Sequence, residues 1–181
     1  MSTVEFFYVS TLNTNYVLII FQQSKTLSFI RNTVMIFREA TIQDIPQMHA
    51  IRIAVKENML PDPAMIAEED YVNFLTVRGK GWICKIENVI IGFAIIDLKE
   101  KNIWALFVHP DHERKGVGKK LQQMMLDWYF NNNDETVWLG TSPGTRAENF
   151  YRNSGWKEVG RRANGEIKFE MRKNDWKKKL L

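Results

Sequence analysis

Residues 109–121 read His-Pro-Asp-His-Glu-Arg-Lys-Gly-Val-Gly-Lys-Lys-Leu. Gly116 and Gly118 stand two apart, flanked by Arg114, Lys115, Lys119 and Lys120. Glycine removes the Cβ that would keep a ligand away from the backbone. If a helix starts here, its first N–H groups lack intrahelical partners and its dipole adds partial positive charge. The basic side chains add full charges. These residues describe an anion site, most simply one for a pyrophosphate. Two phosphate loops can be tested and fail. A Walker A reading with Gly118-Lys119 as its Gly-Lys pair puts Glu113 at the first glycine and Lys120 at the Ser/Thr position. A dinucleotide fingerprint needs a third glycine where Leu121 stands.

The elements around the loop are legible from periodicity. "IWALFVHP" reads as a strand ending at Pro110, and residues 117–130 as an amphipathic helix with Val117, Leu121, Met124 or Met125, and Trp128 on one face. Upstream, "MIFREA" reads as a strand. Thr41 with Asp44 three residues on makes a cap, and a helix places Ile45, Met48, Ile51 or Ala54, and Val55 together. "NMLPDP" breaks it, and "AMIAEEDYVNFLTVRG" reads as a second helix closed by Gly79. "GWICKI" and "VIIGFAIIDL" are strands joined by a turn at "EN"; the second is apolar enough to be central and covered on both faces. "TVWLGTS" is a strand, "TRAENFYRNSG" a short helix, and "WKEVGRR" and "IKFEMRK" closing strands around a turn at "ANGE". The order β-α-α-β-β-β-α-β-α-β-β predicts a mixed, mostly antiparallel α/β sheet of about six to seven strands with helices on both faces.

Length and composition bound the reading. The 181 residues fit one domain, and 45% apolar residues are enough for a core. The single cysteine, Cys84, excludes an internal disulfide framework, fits a reducing compartment and reads as a buried thiol acting as a small hydrophobe. The net charge of +4 is carried by the tail "RKNDWKKKLL", read as a solvated basic end, so it argues little for nucleic acid. The apolar run "YVLIIF" is far short of the roughly 18–20 residues a spanning helix needs, and no Lys or Arg precedes it as in a signal peptide. A cytoplasmic protein without membrane contact is expected. Residues 1–34 hold only Glu5, Lys25 and Arg31 as charges, and the sequence from Met35 reads like a natural domain start. The first segment is expected to be either a mis-called start or an extension packed on the domain formed by residues 35–181.

"LFVHPDHERKGVGKKL" resembles the acetyl-CoA-binding motif of the GNAT superfamily, the Gcn5-related N-acetyltransferases: Gln/Arg-x-x-Gly-x-Gly/Ala after a strand ending in Val-x-Pro. Val108, Pro110, Gly116 and Gly118 match, whereas Glu113 stands at the Gln/Arg position. "FREATIQDIPQMHAIRIAV" is similar to the family's opening strand and helix. In "GTRAENFYRNSGWKEVG", Ala147, Tyr151, Gly155 and Trp156 match a later motif, with Gly144 where an asparagine is usual. The resemblance covers residues 36–173 or so. It implies a GNAT-like acyl-CoA N-acyltransferase fold with acetyl-CoA as acetyl donor, lying where the strand at 102–109 splays from the strand at 136–142.

Further implications follow from the same resemblance. Backbone groups of Leu106, Phe107 and Val108 would hold the pantetheine arm and the thioester carbonyl. Arg114, Lys115, Gly116, Val117, Gly118 and Lys119 would hold the pyrophosphate. Tyr151 would protonate the leaving thiolate, since a phenol of pKa about 10 keeps its proton at neutral pH; on periodicity alone it reads as a packed helix tyrosine. No residue is decisive as a base for the amine. His109, Glu57, Glu68, Glu69 and Asp70 are candidates, the last three also reading as a solvated helix face, and a water chain could serve instead. His49 reads as structural, and the histidines lack metal-ligand spacing. The acceptor would be the amine of a small molecule or a peptide. A homodimer is common in that family, although no residue pattern requires one. A non-catalytic CoA-binding regulatory module is the alternative, favoured by Glu113 and Gly144.

Overall fold

The computed structural model describes residues 8–10, 17–21, 33–57 and 66–179. The strands are β1 (Tyr8–Ser10), β2 (Val17–Phe21), β3 (Thr33–Glu39), β4 (Gly79–Ile86), β5 (Val89–Asp97), β6 (Asn102–Val108), β7 (Val137–Thr141), β8 (Lys157–Arg161) and β9 (Ile167–Met171). The helices are α1 (Ile45–Ala54), α2 (Glu68–Asn73), α3 (Val117–Asn132), α4 (Arg146–Asn153) and α5 (Lys173–Lys179). The sheet order is β1-β2-β3-β4-β5-β6-β7-β9-β8. Its pairings are antiparallel except β6 with β7, the two strands joined through α3. From Thr33 onward this is the seven-stranded mixed sheet the sequence predicts. Within residues 1–34, β2 pairs with β3 through Val17↔Phe37 to Phe21↔Thr33 and carries β1 on its outer edge.

Each face of the sheet has its own core. Ile45, Met48 and Ile51 of α1 and Tyr71 of α2 pack on Ile83, Ile90, Phe93 and Ile95. Val117, Leu121, Met125, Leu126 and Tyr129 of α3 pack on Cys84, Ile91, Ala94 and Ile96 of the opposite face. β5 is thus covered on both sides, as its apolar run predicts; every residue after Val89 in that strand is buried. Cys84 is fully buried there, and burial pushes its thiol up to about 12, so it is an inert core residue.

Three elements differ from the sequence reading. The second helix ends at Asn73, and Phe74–Arg78 widens into a π turn. Gly79 then opens β4 rather than capping a helix, because a Cβ there would lie 1.8 Å from the Ile96 carbonyl oxygen. The α3 face is rotated, so Met125 and Tyr129 are buried while Met124 and Trp128 are half-buried. The basic tail keeps Arg172 and Lys177 to Lys179 exposed, as expected of a solvated end, but it is also docked. It forms α5, with Trp176 buried and its indole N–H donating to Asp127 at 2.8 Å. Lys173 pairs with Asp134, just past α3, at 2.6 Å, and Asp175 pairs with Lys157 of β8 at 2.8 Å, which ties both ends of the tail's first turns to the sheet domain.

Candidate active site

The opening in the sheet lies between β6 and β7. Their register holds a single pair, Asn102↔Trp138, supported by Trp138 N–H donating to the Lys101 carbonyl at 3.0 Å. Beyond it the strands separate. β6 keeps its other edge on β5 as far as Gly92↔Val108, and His109 N–H continues that ladder to the Ile91 carbonyl at 2.8 Å. Alternate backbone groups of Leu106, Phe107 and Val108 therefore face the gap without a strand partner. A bulge contributes to the divergence. Ile95 pairs with Ala105 and Ile96 with Ile103, leaving Trp104 as the extra residue. A bulge bends its strand and re-aims a side chain. Here it sends Trp104 and Ala105 to the α1 face, while Leu106 and Val108 pack toward α3.

The loop from β6 to α3 stands at the wide end of this gap. Pro110–His112 makes a tight turn, and His109 Nδ1 accepts from Asp111 N–H at 3.3 Å. His109 thus caps a turn. Arg114 and Gly116 then adopt left-handed backbone, φ 59° and 79°, and α3 begins at Val117. The chain must reverse sharply here, which is why glycine stands at 116. Lys120 N–H is the first to find an intrahelical carbonyl, that of Gly116 at 3.0 Å. The N–H groups of Val117, Gly118 and Lys119 precede that bond and so have no intrahelical acceptor, the arrangement that makes helix starts suited to anions. A Cβ on Gly118 would sit 3.5 Å from Val108 and 4.0 Å from Phe150, so glycine keeps open the space between β6, α3 and α4. Gly92 seats the helix, since a Cβ there would lie 2.9 Å from Val117. Lys115 reaches back to the Asp111 carbonyl at 3.0 Å, whereas Arg114 and Lys119 make no ion pair among the described residues.

Glu113, the departure from the motif, is paired. Its carboxylate holds Arg146 at the start of α4, and Glu57 holds the same arginine through Nε at 2.7 Å and backbone N–H at 3.1 Å. Donating to the carboxylates of Glu57 and Glu113 holds the Arg146 guanidinium above its ordinary value. The bridge ties the glycine loop, the start of α4 and the end of α1 together, and it brings a cation beside a position where the motif expects one. Glu57 is thereby engaged rather than poised as a base. Gly144 has a backbone reason too: φ is 77°, and its N–H donates to Glu148 at 2.7 Å.

Tyr151 lies one residue beyond Phe150 on α4. It is 7% exposed, with its ring against Phe150, Trp156 and Phe169 at 5.3, 5.7 and 6.3 Å between centroids. Burial raises its hydroxyl well above the ordinary phenol value, so it stays protonated. Of the acidic candidates, Glu68 and Glu69 are exposed, and Asp70 caps its own helix by accepting Ala67 N–H at 2.8 Å. Among the described residues no group of His, Cys, Asp and Glu could hold a metal ion, and no helix is long and apolar enough to cross a membrane.

A strand pair that splays at its end, with a glycine-opened helix N-terminus beside the gap, defines an acyl-CoA transferase type of fold. The chain belongs to the GNAT acetyltransferase family, whose model matches residues 45–156. Solved structures share the fold. The ribosomal-protein-S18-alanine N-acetyltransferase of Escherichia coli is 18% identical with a TM-score of 0.60, over 76% of this chain and 91% of that one. The Paia N-acetyltransferase of Thermoplasma acidophilum, solved in complex with coenzyme A, is 13% identical with a TM-score of 0.66, over 76% and 98%. An N-acetyltransferase from Staphylococcus aureus Mu50 is 13% identical with a TM-score of 0.65, over 77% and 98%. No curated protein matches the sequence.

Proposed function

We propose that the protein transfers the acetyl group of acetyl-CoA to a primary amine by direct attack on the thioester. The observation that carries this reading is the single β6–β7 pair at Asn102↔Trp138, beyond which the open edge of β6 leads to the glycine loop. The residues fit the donor. Gly116 and Gly118 leave the backbone bare, and the N–H groups of Val117, Gly118 and Lys119 point where a pyrophosphate would lie. Arg114, Lys115 and Lys119 supply charge. The edge of Leu106, Phe107 and Val108 lines the pantetheine arm and polarises the thioester carbonyl. The neutral amine forms a bond to the carbonyl carbon, the C–S bond breaks, and the amine gives up one proton. Tyr151 offers a proton to the departing sulfur, so the products are an amide and free thiol. Burial raises its affinity for that proton, so the hydroxyl is in its protonated form at neutral pH and has a proton to offer when the C–S bond breaks.

The burial of Tyr151 among three rings also suits a second reading, a CoA-binding module without turnover. Two measurements separate the readings. Acetyl-CoA should raise the melting temperature where ATP and NAD do not; no shift sinks both. Thiol release over a panel of amines then distinguishes enzyme from module. Tyr151→Phe should lower kcat by roughly 100-fold at unchanged acetyl-CoA affinity, and full turnover in that variant would remove the tyrosine from the chemistry.

A further inference from the structure

The α1 face of the sheet holds a cation that the steps above do not use. Arg52 follows His49 by one helical turn at the margin of the buried face of α1. The centre of its guanidinium lies 4.3 Å from the ring centroid of Trp104, 4.7 Å from Phe107 and 5.4 Å from Tyr71. Stacking on aromatic faces stabilises the charge but leaves the N–H groups in the ring plane unsatisfied. Among the described residues, Nε and Nη2 of Arg52 are shielded from solvent and neither has an acceptor at hydrogen-bond geometry; the nearby Tyr71 hydroxyl supports the charge without completing such a bond. The Tyr71 hydroxyl and His49 Nδ1 are shielded and unpartnered in the same cluster. Burial pulls Arg52 below its ordinary value, against the pull of Tyr71 and Asp70.

A buried charge is normally kept only where it is paired and hydrogen-bonded. The described residues supply no carboxylate partner. Asp70 is committed to capping α2, and Arg52 makes no ion pair. The two unsatisfied nitrogens are also the ones whose N–H bonds run parallel along one side of the guanidinium. That fork can donate to both oxygens of a single carboxylate. Its position matters as much as its chemistry. Phe107 belongs to the open end of β6, and the bulge turns Trp104 onto the same face. The fork therefore stands beside the strand end that holds the thioester in the proposed reaction, on the side away from α3.

We propose that Arg52 is the carboxylate-binding residue of the acceptor site, so the acceptor is a primary amine that also carries a carboxylate. The Tyr71 hydroxyl adds a donor to the same anion, and Trp104 and Phe107 flank the acceptor's apolar part. This rests on the acetyltransferase reading. The specificity is strong because, without the anion, the site is left with unpaired buried donors.

The test uses matched pairs in which an amino acid is compared with the amine left when its carboxylate is removed: phenylalanine with phenethylamine, and 4-aminobutyrate with propylamine. Thiol release from acetyl-CoA should favour the acid member of at least one pair by about 100-fold in kcat/KM. Arg52→Gln should abolish that preference, chiefly through KM. Arg52→Lys, which keeps the charge and loses the fork, should recover only part of it. The melting shift with acetyl-CoA should be unchanged in both. Independently of turnover, phenylacetate or butyrate should bind the wild-type protein by calorimetry and not Arg52→Gln. A carboxylate-free amine used as well as its acid, or acid preference surviving in Arg52→Gln, overturns the proposal. If acetyl-CoA binds and no amine reacts, the acetyltransferase reading fails by itself, and calorimetry still decides whether the anion site exists.

Discussion

The two faces of the sheet build the two halves of the site in different ways. On the α3 face the donor half is mostly backbone: left-handed residues at Arg114 and Gly116, bare N–H groups at the start of α3, and the open edge of β6. On the α1 face the acceptor half is all side chain: Arg52 from one helix, Tyr71 from another, Trp104 and Phe107 from a strand. A backbone site tolerates changes in side chains but not in glycine or in the seating of the helix. A side-chain site does the reverse. The two halves should therefore fail separately.

The sharpest way to test that separation is charge reversal on the donor half. Arg114→Glu with Lys119→Glu should weaken acetyl-CoA binding by about 100-fold, since charge-assisted contacts contribute roughly 1.5–3 kcal/mol each. The melting temperature and the ranking of amines should not move. Titration calorimetry at two salt concentrations checks this, because the loss should shrink as screening rises. A change in amine ranking would break the comparison.

Gly92→Val acts on the seating. The first added carbon already meets Val117 at 2.9 Å, so the larger side chain must push α3 off the sheet. Overpacking of this kind costs about 1–3 kcal/mol, and denaturant unfolding should show it together with weakened acetyl-CoA binding. Cys84→Ala, at the partner position on β4, should cost stability alone.

On the acceptor side, Asp44 anchors the entry to α1. It accepts from Arg38 at 2.7 and 2.8 Å and from Thr41 N–H at 2.8 Å. Burial would raise its carboxyl, but these bonds outweigh it and hold the group below the ordinary value. Its contribution is therefore complete above the unfolded value of about 3.9 and lost as the pH falls through the lower folded value. Asp44→Asn should lose about 2 kcal/mol at pH 7, with the gap to wild type narrowing below pH 4 or so in pH-dependent denaturation. Acetyl-CoA affinity should hold.

The smallest effect is expected from Glu113→Gln. It removes a negative charge from the loop and loosens Arg146, which Glu57 still holds. Exposed ion pairs contribute little, so stability should change by under about 1 kcal/mol, while acetyl-CoA binding should tighten by roughly threefold. A loss of affinity instead would mean that the bridge shapes the loop rather than merely lowering its charge.

Legibility in the sequence followed the same division. The donor half is contiguous, so Gly116, Gly118 and the flanking cations could be read as an anion site without knowing what they pack against. The succession of elements along the chain and the central β5 were legible because periodicity reports burial directly. The acceptor half is assembled across more than fifty residues, from His49 to Phe107. Arg52 stands beside Ile51 in a helix whose exposed face also carries polar residues, so nothing in its spacing marks it as facing rings. Nor does "NIWALFV" show where its alternation breaks; the bulge at Trp104 is set by pairing with β5. The tail was misread because its lysines outnumber Trp176, the residue that docks it. Tyr151 packs in the core as its periodicity predicts, whereas its role as an acid comes from the motif resemblance and is a proposal.

The bulge in β6 has an optical consequence. Trp82 and Trp128 lie against each other on the α3 face, tilted at 60°, Trp156 and Trp176 are sealed in the core there, and Trp138 of β7 lies under Arg162. Trp138 points away from the α3-face core that holds Val137 and Leu139, and Trp104 packs with the α1 face, 4.3 Å from the Arg52 guanidinium. The protein thus carries an intrinsic fluorophore at the mouth of its acceptor side. Emission that shifts when an acceptor binds, and falls silent in Trp104→Phe, would let the site report its own occupancy without a label.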